Sequence, residues 1–149
     1  MALPPSSTHQ YEATVLPVSL EKLWTALKAF DWAQILPSRV ASSVFTDGGV
    51  GTVGSHVRVS FNDGHNWVYH IVEVSDIYHK LVFELVAAEP ELTYTGALHT
   101  IRLYRDTLQG QTFMVWETDF ANDAGLDIVQ DSKYKKHEFF TSASRSLSN

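Results

Sequence analysis

The apolar and polar positions of this chain alternate through most of its length and recur at helical spacing only near its two ends. Alternation is typical of strands, whereas apolar positions three and four residues apart are typical of amphipathic helices. Gly, Asn, Asp and Pro punctuate the alternating part, and such short reversals favour antiparallel pairing because a parallel crossover needs a dozen residues or more. The predicted strands cover residues 9–17, 40–46, 53–61, 67–75, 80–88, 97–105 and 111–120.

One helical region is predicted between the first and second strands, and another follows the last strand. Ser19 is a suitable N-cap for a helix over residues 19–30, and residues 31–36 add one further turn that Pro37 ends. A long final helix is predicted over residues 127–147. Its inward stripe, about a third of the circumference wide, contains Ile128, Val129, Ser132, Lys136, Phe139, Phe140, Ala143 and Leu147.

The order of these elements predicts an α+β protein. We expect a seven-stranded curled antiparallel sheet wrapped around the long C-terminal helix, with one or two short helices after the first strand. A curled sheet crossed by one helix leaves a cavity between the two, and apolar cavities with a few polar groups are where small molecules bind. Residues 1–149 are predicted to form one ligand-binding domain, with a flexible tail over residues 1–8.

Composition argues against several classes of function. Seventeen acidic residues against eleven Lys and Arg give a formal charge of −6, so the electrostatic attraction on which nucleic-acid binding depends is missing. The chain has no cysteine, which excludes disulfides, thiolate nucleophiles and Cys-ligated zinc. No basic and apolar leader opens the sequence and no apolar run approaches the roughly 18 residues of a membrane span, so a cytoplasmic location is expected.

Three short segments carry a resemblance to a known family. Residues 53–59 read VGSHVRV, which is similar to the family's glycine-then-valine-arginine strand, and looser matches lie at 76–83 and in VWETDF at 115–120. Together with the element order, they resemble the SRPBCC or START-like helix-grip superfamily and its polyketide cyclase/dehydrase-like branch.

The resemblance implies a cavity for a hydrophobic, aromatic or polycyclic small molecule. It leaves two functions open. One is cofactor-free cyclase, dehydratase or isomerase chemistry of secondary metabolism, and the other is a non-catalytic carrier or receptor for a lipid or small molecule.

Alternation assigns one face of each strand to this cavity. Over residues 67–74 both faces are apolar, so periodicity alone selects neither Tyr69 nor His70 as the inward residue, and the resemblance favours His70. The candidate ligand-binding residues are Val59, Tyr69, Phe83, Ile101, Met114, Trp116, Ser132 and Phe140.

Three polar residues are candidates for catalysis. His99, and His70 if it faces inward, titrate near neutral pH and could act as general acid and base. Lys136 lies in an apolar wall, where a lowered pKa would suit an amine nucleophile or an anchor for an anionic or carbonyl-bearing ligand. The simpler alternatives are a hydrogen-bonded core histidine and a lysine that extends its ammonium to solvent.

The remaining sequence motifs are weaker evidence of function. Residues 49–54 fit GxGxxG, but a strand follows them and not the helix N-terminus that dinucleotide binding needs, so a plain turn is favoured. No metal or cofactor is predicted, although His70 and His99 could meet across neighbouring strands with a carboxylate. The GxSxG elbow of a serine hydrolase is missing from the sequence.

A homodimer is the remaining alternative. If His70 faces inward, the other face of its strand becomes an exposed apolar stripe of Trp67, Tyr69 and Ile71. Exposed apolar stripes of this kind mark interaction surfaces, and this one would suit pairing with a second copy.

Overall fold

The computed structural model describes residues 8–148, so the tail predicted over residues 1–8 lies outside the described residues apart from Thr8. The strands are β1 (His9–Leu16), β2 (Val40–Asp47), β3 (His56–Phe61), β4 (Asn66–Ser75), β5 (Lys80–Glu89), β6 (Ala97–Arg105) and β7 (Thr112–Phe120). The helices are α1 (Leu20–Lys28), α2 (Trp32–Ile35) and α3 (Leu126–Ser146). None of these helices is long and apolar enough to cross a membrane.

The seven strands form one antiparallel sheet in the order β1-β7-β6-β5-β4-β3-β2. Strands β2 to β7 follow one another as neighbours, while β1 pairs with β7, His9 lying opposite Asp119 and Leu16 opposite Thr112. The connection from β1 to β2 therefore passes from one edge of the sheet to the other, and it contains α1 and α2. The predicted fold class is confirmed.

Six of the seven strands differ from their predicted bounds, by one residue in each case except β3. Strand β3 begins at His56 and not at residue 53, because the preceding residues form a turn in which Ser55 Oγ accepts a hydrogen bond from the Gly49 N–H at 3.0 Å. The GxGxxG segment is part of this turn and lies between two strands. Helix α3 begins and ends one residue earlier than the stretch predicted over 127–147.

Helices α1 and α2 close one end of the sheet. Ser19 caps α1, its Oγ accepting a hydrogen bond from the Lys22 N–H at 3.2 Å. The end of α2 is tied to α3, since the hydroxyls of Ser142 and Ser146 both donate to the Ile35 carbonyl, at 2.6 and 3.0 Å. These bonds hold α2 against the C-terminal half of the long helix.

The hydrophobic core fills the end of the sheet beneath these helices. Side chains from α1, α2 and the C-terminal half of α3 meet the inward residues of the strands there. Its fully buried members include Leu23, Leu27, Phe30, Ile35, Val57, Val59, Ile71, Phe83, Ile101, Leu103, Met114, Ala143 and Leu147. The N-terminal half of α3 extends beyond this packed region.

On strand β4, Tyr69 and not His70 faces the interior, which is the opposite of the orientation that the resemblance favours. Tyr69 and Ile71 are buried, with 3% and 0% of their surface exposed. His70 lies on the outer face, where its Nδ1 is 2.9 Å from Glu84 Oε1. The expected inward orientation of His70 is therefore wrong. Bulges in the pairing with β5 on either side of residues 69–71 break the alternation, so no single period of two fits the whole strand.

This orientation removes the basis of the predicted homodimer. Trp67, Tyr69 and Ile71 all pack toward the interior, so they form no exposed apolar stripe. The outer face carries the His70 imidazole instead, stacked on His56 with ring centroids 4.9 Å apart.

Phe30 is the residue whose loss should most disturb this packing. It lies between α1 and α2 at a φ of 51° and is fully buried, with its ring centroid 5.4 Å from that of Trp32 and 5.1 Å from that of Phe83. We expect Phe30→Ala to lower the free energy of unfolding by about 3–5 kcal/mol, because truncation leaves a cavity. Phe113→Ala, at a half-buried position of β7, is the control and should lower the free energy of unfolding by about 1 kcal/mol. Urea unfolding followed by circular dichroism measures both, and equal losses would contradict the assigned core.

Candidate functional site

The space beneath the N-terminal half of α3 is a cavity of about 400 Å³. The strands divide their inward residues between this cavity and the core. Strand β6, for example, contributes Ala97 and His99 to the cavity wall and Ile101 and Leu103 to the core. Eight aromatic side chains contribute to the wall, and they belong to Trp32, Phe61, Trp67, Tyr69, Tyr94, Trp116, Phe120 and Phe139.

Charged side chains around the outer part of the cavity are paired with one another. Lys135 Nζ lies 2.9 Å from the Asp131 carboxylate and 5.3 Å from the centre of the Trp67 ring. Arg39 is hydrogen-bonded to Glu138 through its Nε. Both of these cations therefore have a carboxylate partner within the protein.

Lys136 extends from the middle of α3 into the interior, and only 2% of its surface is exposed. Its Nζ donates to Gln10 Oε1 and, at 3.1 Å, to Ser132 Oγ. It also lies over the rings of Trp116 and Phe120, 5.5 and 5.8 Å from their centroids. Within residues 8–148 it forms no ion pair, so all of its partners are neutral. The alternative in which this ammonium reaches solvent does not apply.

Gln10, on the inward face of β1, orients this polar cluster. Its Nε2 donates to the Val129 carbonyl at 2.7 Å, which directs its Oε1 toward α3. Ser132 Oγ donates to that oxygen at 3.0 Å, and Lys136 donates to it as well. The network therefore turns two acceptor oxygens toward the lysine amine.

Burial lowers the pKa of Lys136 to about 7, and the negative charge of Glu12 opposes this shift. Glu12 is itself bound to His137, whose Nε2 lies 2.6 Å from its Oε1. At neutral pH the amine is accordingly divided between its charged and neutral forms.

His99 lies on the opposite wall, with 8% of its surface exposed. Its Nδ1 accepts a hydrogen bond from Trp116 Nε1 at 3.1 Å and lies 2.9 Å from Thr118 Oγ1. An indole N–H can only donate, so Nδ1 is an acceptor and the proton of the neutral ring is on Nε2. Burial, assisted by the charge of Lys136, lowers the pKa of His99 to about 3. The imidazole is therefore neutral at physiological pH.

Tyr69 adds a third polar group to the cavity wall. Its ring packs edge-on against His99, with centroids 6.0 Å apart. Burial raises the pKa of the Tyr69 hydroxyl above its ordinary value, so this group is a neutral donor. The hydroxyl has no hydrogen-bond partner in the part of the chain that the structure describes. The interior therefore offers hydrogen-bond donors from Tyr69, His99 and Lys136 within one aromatic cavity.

The structure brings together some of the predicted site residues and separates others. Tyr69, His99, Trp116, Ser132 and Lys136 line the cavity. The other predicted ligand-binding residues pack in the filled half of the interior and do not line it, and they are Val59, Phe83, Ile101, Met114 and Phe140. Alternation identifies the inward face of a strand but does not show where along that face the packing ends, which is why these residues were included.

His70 takes no part in the cavity. It lies on the outer face of β4, whereas His99 lies on the inner face of β6, and β5 separates the two strands. The two imidazoles therefore cannot share a metal ion. Within residues 8–148 no group of three or more His, Asp or Glu side chains is arranged to hold a metal.

Several residues of the site were not predicted from the sequence. Gln10 has the same inward phase as Leu16 on β1, so alternation along that strand could have identified it. Thr118 has the same inward phase as Trp116 on β7, so alternation could have identified it as well. Trp32 and Tyr94 come from a four-residue helix and a loop, where periodicity gives no signal.

Comparison with solved structures identifies the architecture. The crystal structure of Ara h 8.0201 superposes with a TM-score of 0.77 at 18% identity, covering 95% of this chain and 98% of that chain. Ginseng major latex-like protein 151 from Panax ginseng gives a TM-score of 0.70 at 16% identity, covering 93% of each chain. The protein XoxI from Bacillus cereus gives 0.75 at 15% identity, covering 93% and 94%.

These similarities establish that the chain has the helix-grip fold of the START/SRPBCC and Bet v1-like proteins, as the resemblance implied. No protein-family model matches the chain, and no curated protein sequence matches it. At these identities the likeness shows the fold alone, so function depends on the chemistry of the cavity.

We expect His99 to remain neutral, with its proton on Nε2, from pH 8 down to pH 5. Protonation of Nδ1 would place a charge in an aromatic wall and remove the acceptor of the Trp116 N–H. Two-dimensional NMR of the imidazole nitrogens measures this state directly. His9 is the internal control, because its hydrogen bond to Asp119 raises its pKa and it should titrate above pH 6.5. A His99 resonance that titrates between pH 6 and 7 would contradict the assignment.

We expect Lys136 to make the protein less stable as the pH falls from about 10 to 7. An unfolded lysine has a pKa near 10.4, so in this range the unfolded chain binds a proton that the folded chain does not. Below pH 7 both states bind it and the loss is complete. Relative to Lys136→Met, the wild type should lose on the order of 4 kcal/mol between pH 10 and pH 6.

Urea unfolding across this pH range measures the difference between wild type and variant. Lys133→Met is the matched control, because this lysine lies on the exposed face of α3 and its removal should leave the pH dependence unchanged. A wild-type curve parallel to that of Lys136→Met would show that the buried amine keeps its ordinary pKa.

Proposed function

We propose that this helix-grip chain binds a small aromatic molecule bearing an anionic or carbonyl oxygen in the cavity beneath α3. The observation that carries the proposal is the position of Lys136, a buried amine with only neutral hydrogen-bond partners at the wall of a 400 Å³ aromatic cavity. An unpaired buried ammonium is costly, and a ligand oxygen is the partner that would offset this cost.

The aromatic character of the ligand is supported by the rings of the wall. Trp32 lies at the centre of the arrangement, with ring centroids 5.5 Å from Tyr69, 6.2 Å from Trp116 and 6.0 Å from Phe139. Tilted and edge-to-face rings of this kind favour a planar aromatic guest, whose own edges and faces can continue the same packing.

The oxygen on the ligand is supported by the donors that face the cavity. Lys136 supplies a charged donor, the His99 ring a neutral Nε2–H, and Tyr69 a hydroxyl. Among residues 8–148 the latter two donors have no acceptor for these hydrogens. A carboxylate, phenolate or conjugated carbonyl would accept from one or more of the three.

Between the two functions left open by the sequence, the geometry favours binding as the primary role. Acid–base chemistry of a cyclase, dehydratase or isomerase requires a group that exchanges a proton near neutral pH. His99 is neutral throughout that range, and His70 lies outside the cavity. The acid–base pair of histidines expected from the sequence is therefore not assembled, and of the two predicted catalytic residues that line the cavity Lys136 alone exchanges a proton near neutral pH. We therefore propose a carrier or receptor role in which Lys136 and His99 orient the ligand.

A pair of fluorescent probes tests this proposal. 8-Anilinonaphthalene-1-sulfonate and N-phenyl-1-naphthylamine share one ring system and differ in the sulfonate. We expect the wild type to bind both, with quenching of the three cavity tryptophans, while Trp24, which donates to Asp76 outside the cavity, is unaffected. Lys136→Met should weaken the sulfonate probe by about 10-fold to 100-fold, as expected for a lost charged hydrogen bond, and the neutral probe by about twofold or less.

Lys133→Met is again the control and should bind both probes as the wild type does. Equal losses of the two probes on Lys136→Met would mean that the amine does not contact the anion. Failure of the wild type to bind either probe would remove the cavity as a ligand site for aromatic molecules.

A further inference from the structure

We propose that Lys136 is a covalent attachment site for aromatic aldehydes, which it binds as a reversible imine within the cavity. This inference rests on the proposed function, because the aldehyde must first enter the aromatic cavity. It assigns to the buried amine a nucleophilic role in addition to the electrostatic one.

The position of the amine distinguishes Lys136 from the other lysines. Lys28 and Lys135 are engaged with carboxylates, at 2.9 Å in each case, and Lys80 with Glu73 at 3.4 Å. Lys22 and Lys133 are on the exposed surface. Of the lysines, Lys136 is the one whose amine meets neutral acceptors and aromatic rings in an enclosed wall.

The hydrogen-bond network leaves the lone pair of the neutral amine available. Two hydrogens of the amine are donated to Gln10 Oε1 and Ser132 Oγ. The Ser132 hydroxyl donates to Gln10, and the Gln10 amide donates to the Val129 carbonyl, so neither neighbour offers a hydrogen to the lysine nitrogen. The lone pair is therefore not blocked by these neighbours, and Trp116 and Phe120 border the amine on the cavity side.

Imine formation needs no component beyond the amine and the aldehyde. The neutral nitrogen attacks the carbonyl carbon, and the carbon–nitrogen bond forms as the carbonyl π electrons move to oxygen. Both amine hydrogens then leave with that oxygen as water, and the carbon–nitrogen double bond is completed. The step involves no oxidation or reduction. An aromatic aldehyde gives an imine conjugated with its ring, which the flanking aromatic side chains can stack against.

The protonation state of the amine supports the same chemistry. With a pKa of about 7, roughly half of Lys136 is neutral at pH 7, against about one in 2,500 for a surface lysine of ordinary pKa near 10.4. A lysine desolvated in an apolar pocket is a recognised form of activated amine nucleophile.

Reductive trapping tests the proposal. Wild-type protein is incubated at pH 7 with 2-naphthaldehyde and sodium cyanoborohydride, which reduces an imine to a stable secondary amine. Intact mass spectrometry should show one naphthylmethyl group, and peptide mapping should place it on Lys136. We expect this site to react about 100-fold faster than any other lysine of the chain, which is within the difference in neutral fraction. Mapping of the wild type locates the adduct without depending on how any variant folds.

Two controls define the result. Lys136→Met should lose the fast adduct, whereas Lys133→Met should retain it. 2-Naphthalenemethanol, which has the same ring but no carbonyl, should slow the labelling by occupying the cavity. Labelling spread evenly over the surface lysines, or no fast labelling, would overturn the imine proposal. Binding of N-phenyl-1-naphthylamine in the same preparation would then show that the cavity function stands and the covalent step alone has failed, while its absence would show that both have failed.

Discussion

The rest of the structure depends on a single helix, α3, covering the concave face of a seven-stranded sheet. The helix does so unevenly. Its C-terminal half packs on side chains beneath α1 and α2, and its serines bind the end of α2. Its N-terminal half has no such helices beside it and covers the cavity, while Ile128 and Val129 at its start pack against a small second cluster of Ala97, Phe120 and Ala124. Trp32 of α2 is the boundary, since its ring contacts Phe30 and Phe83 on the core side and Trp116 on the cavity side. The cavity is thus a consequence of where the two short helices end.

Lys136 lies on the cavity side of that boundary, and the fold itself does not require a lysine there. A methionine or leucine would satisfy the same stripe of α3 without the penalty of a buried ammonium. The protein instead surrounds the amine with oriented neutral acceptors, through Gln10 and Ser132, and with two aromatic faces. A residue that lowers stability but is held by several specific neighbours is characteristic of a functional position. Burial also keeps His99 neutral, so of the three inner donors Tyr69, His99 and Lys136, only Lys136 carries a charge.

The sequence was sufficient to predict the elements and their order, because the strands and helices have distinct periods and the turns have distinct residues. It was also sufficient for the inward residues that it predicted on β6 and β7, since His99, Ile101, Met114 and Trp116 are all buried. It failed on β4, since both faces are apolar and two bulges change the phase. It could not show which inward residues line the cavity, because that depends on the reach of α2 across the sheet. Gln10 was missed although its phase on β1 was readable, since a lone glutamine has no chemical signature until its partner on α3 is known.

The two kinds of ligand proposed for this cavity, an anion and an aldehyde, require opposite protonation states of Lys136. An anion is held by the ammonium form of Lys136, whereas an aldehyde reacts with the neutral form. The pKa of this amine is about 7. Raising the pH above 7 therefore weakens binding of the anion and favours formation of the imine, and lowering the pH below 7 has the opposite effect. His99 and Tyr69, two of the titratable groups that line the cavity, stay neutral on both sides of pH 7. The direction in which binding varies with pH therefore distinguishes an anionic ligand from an aldehyde before either has been identified chemically.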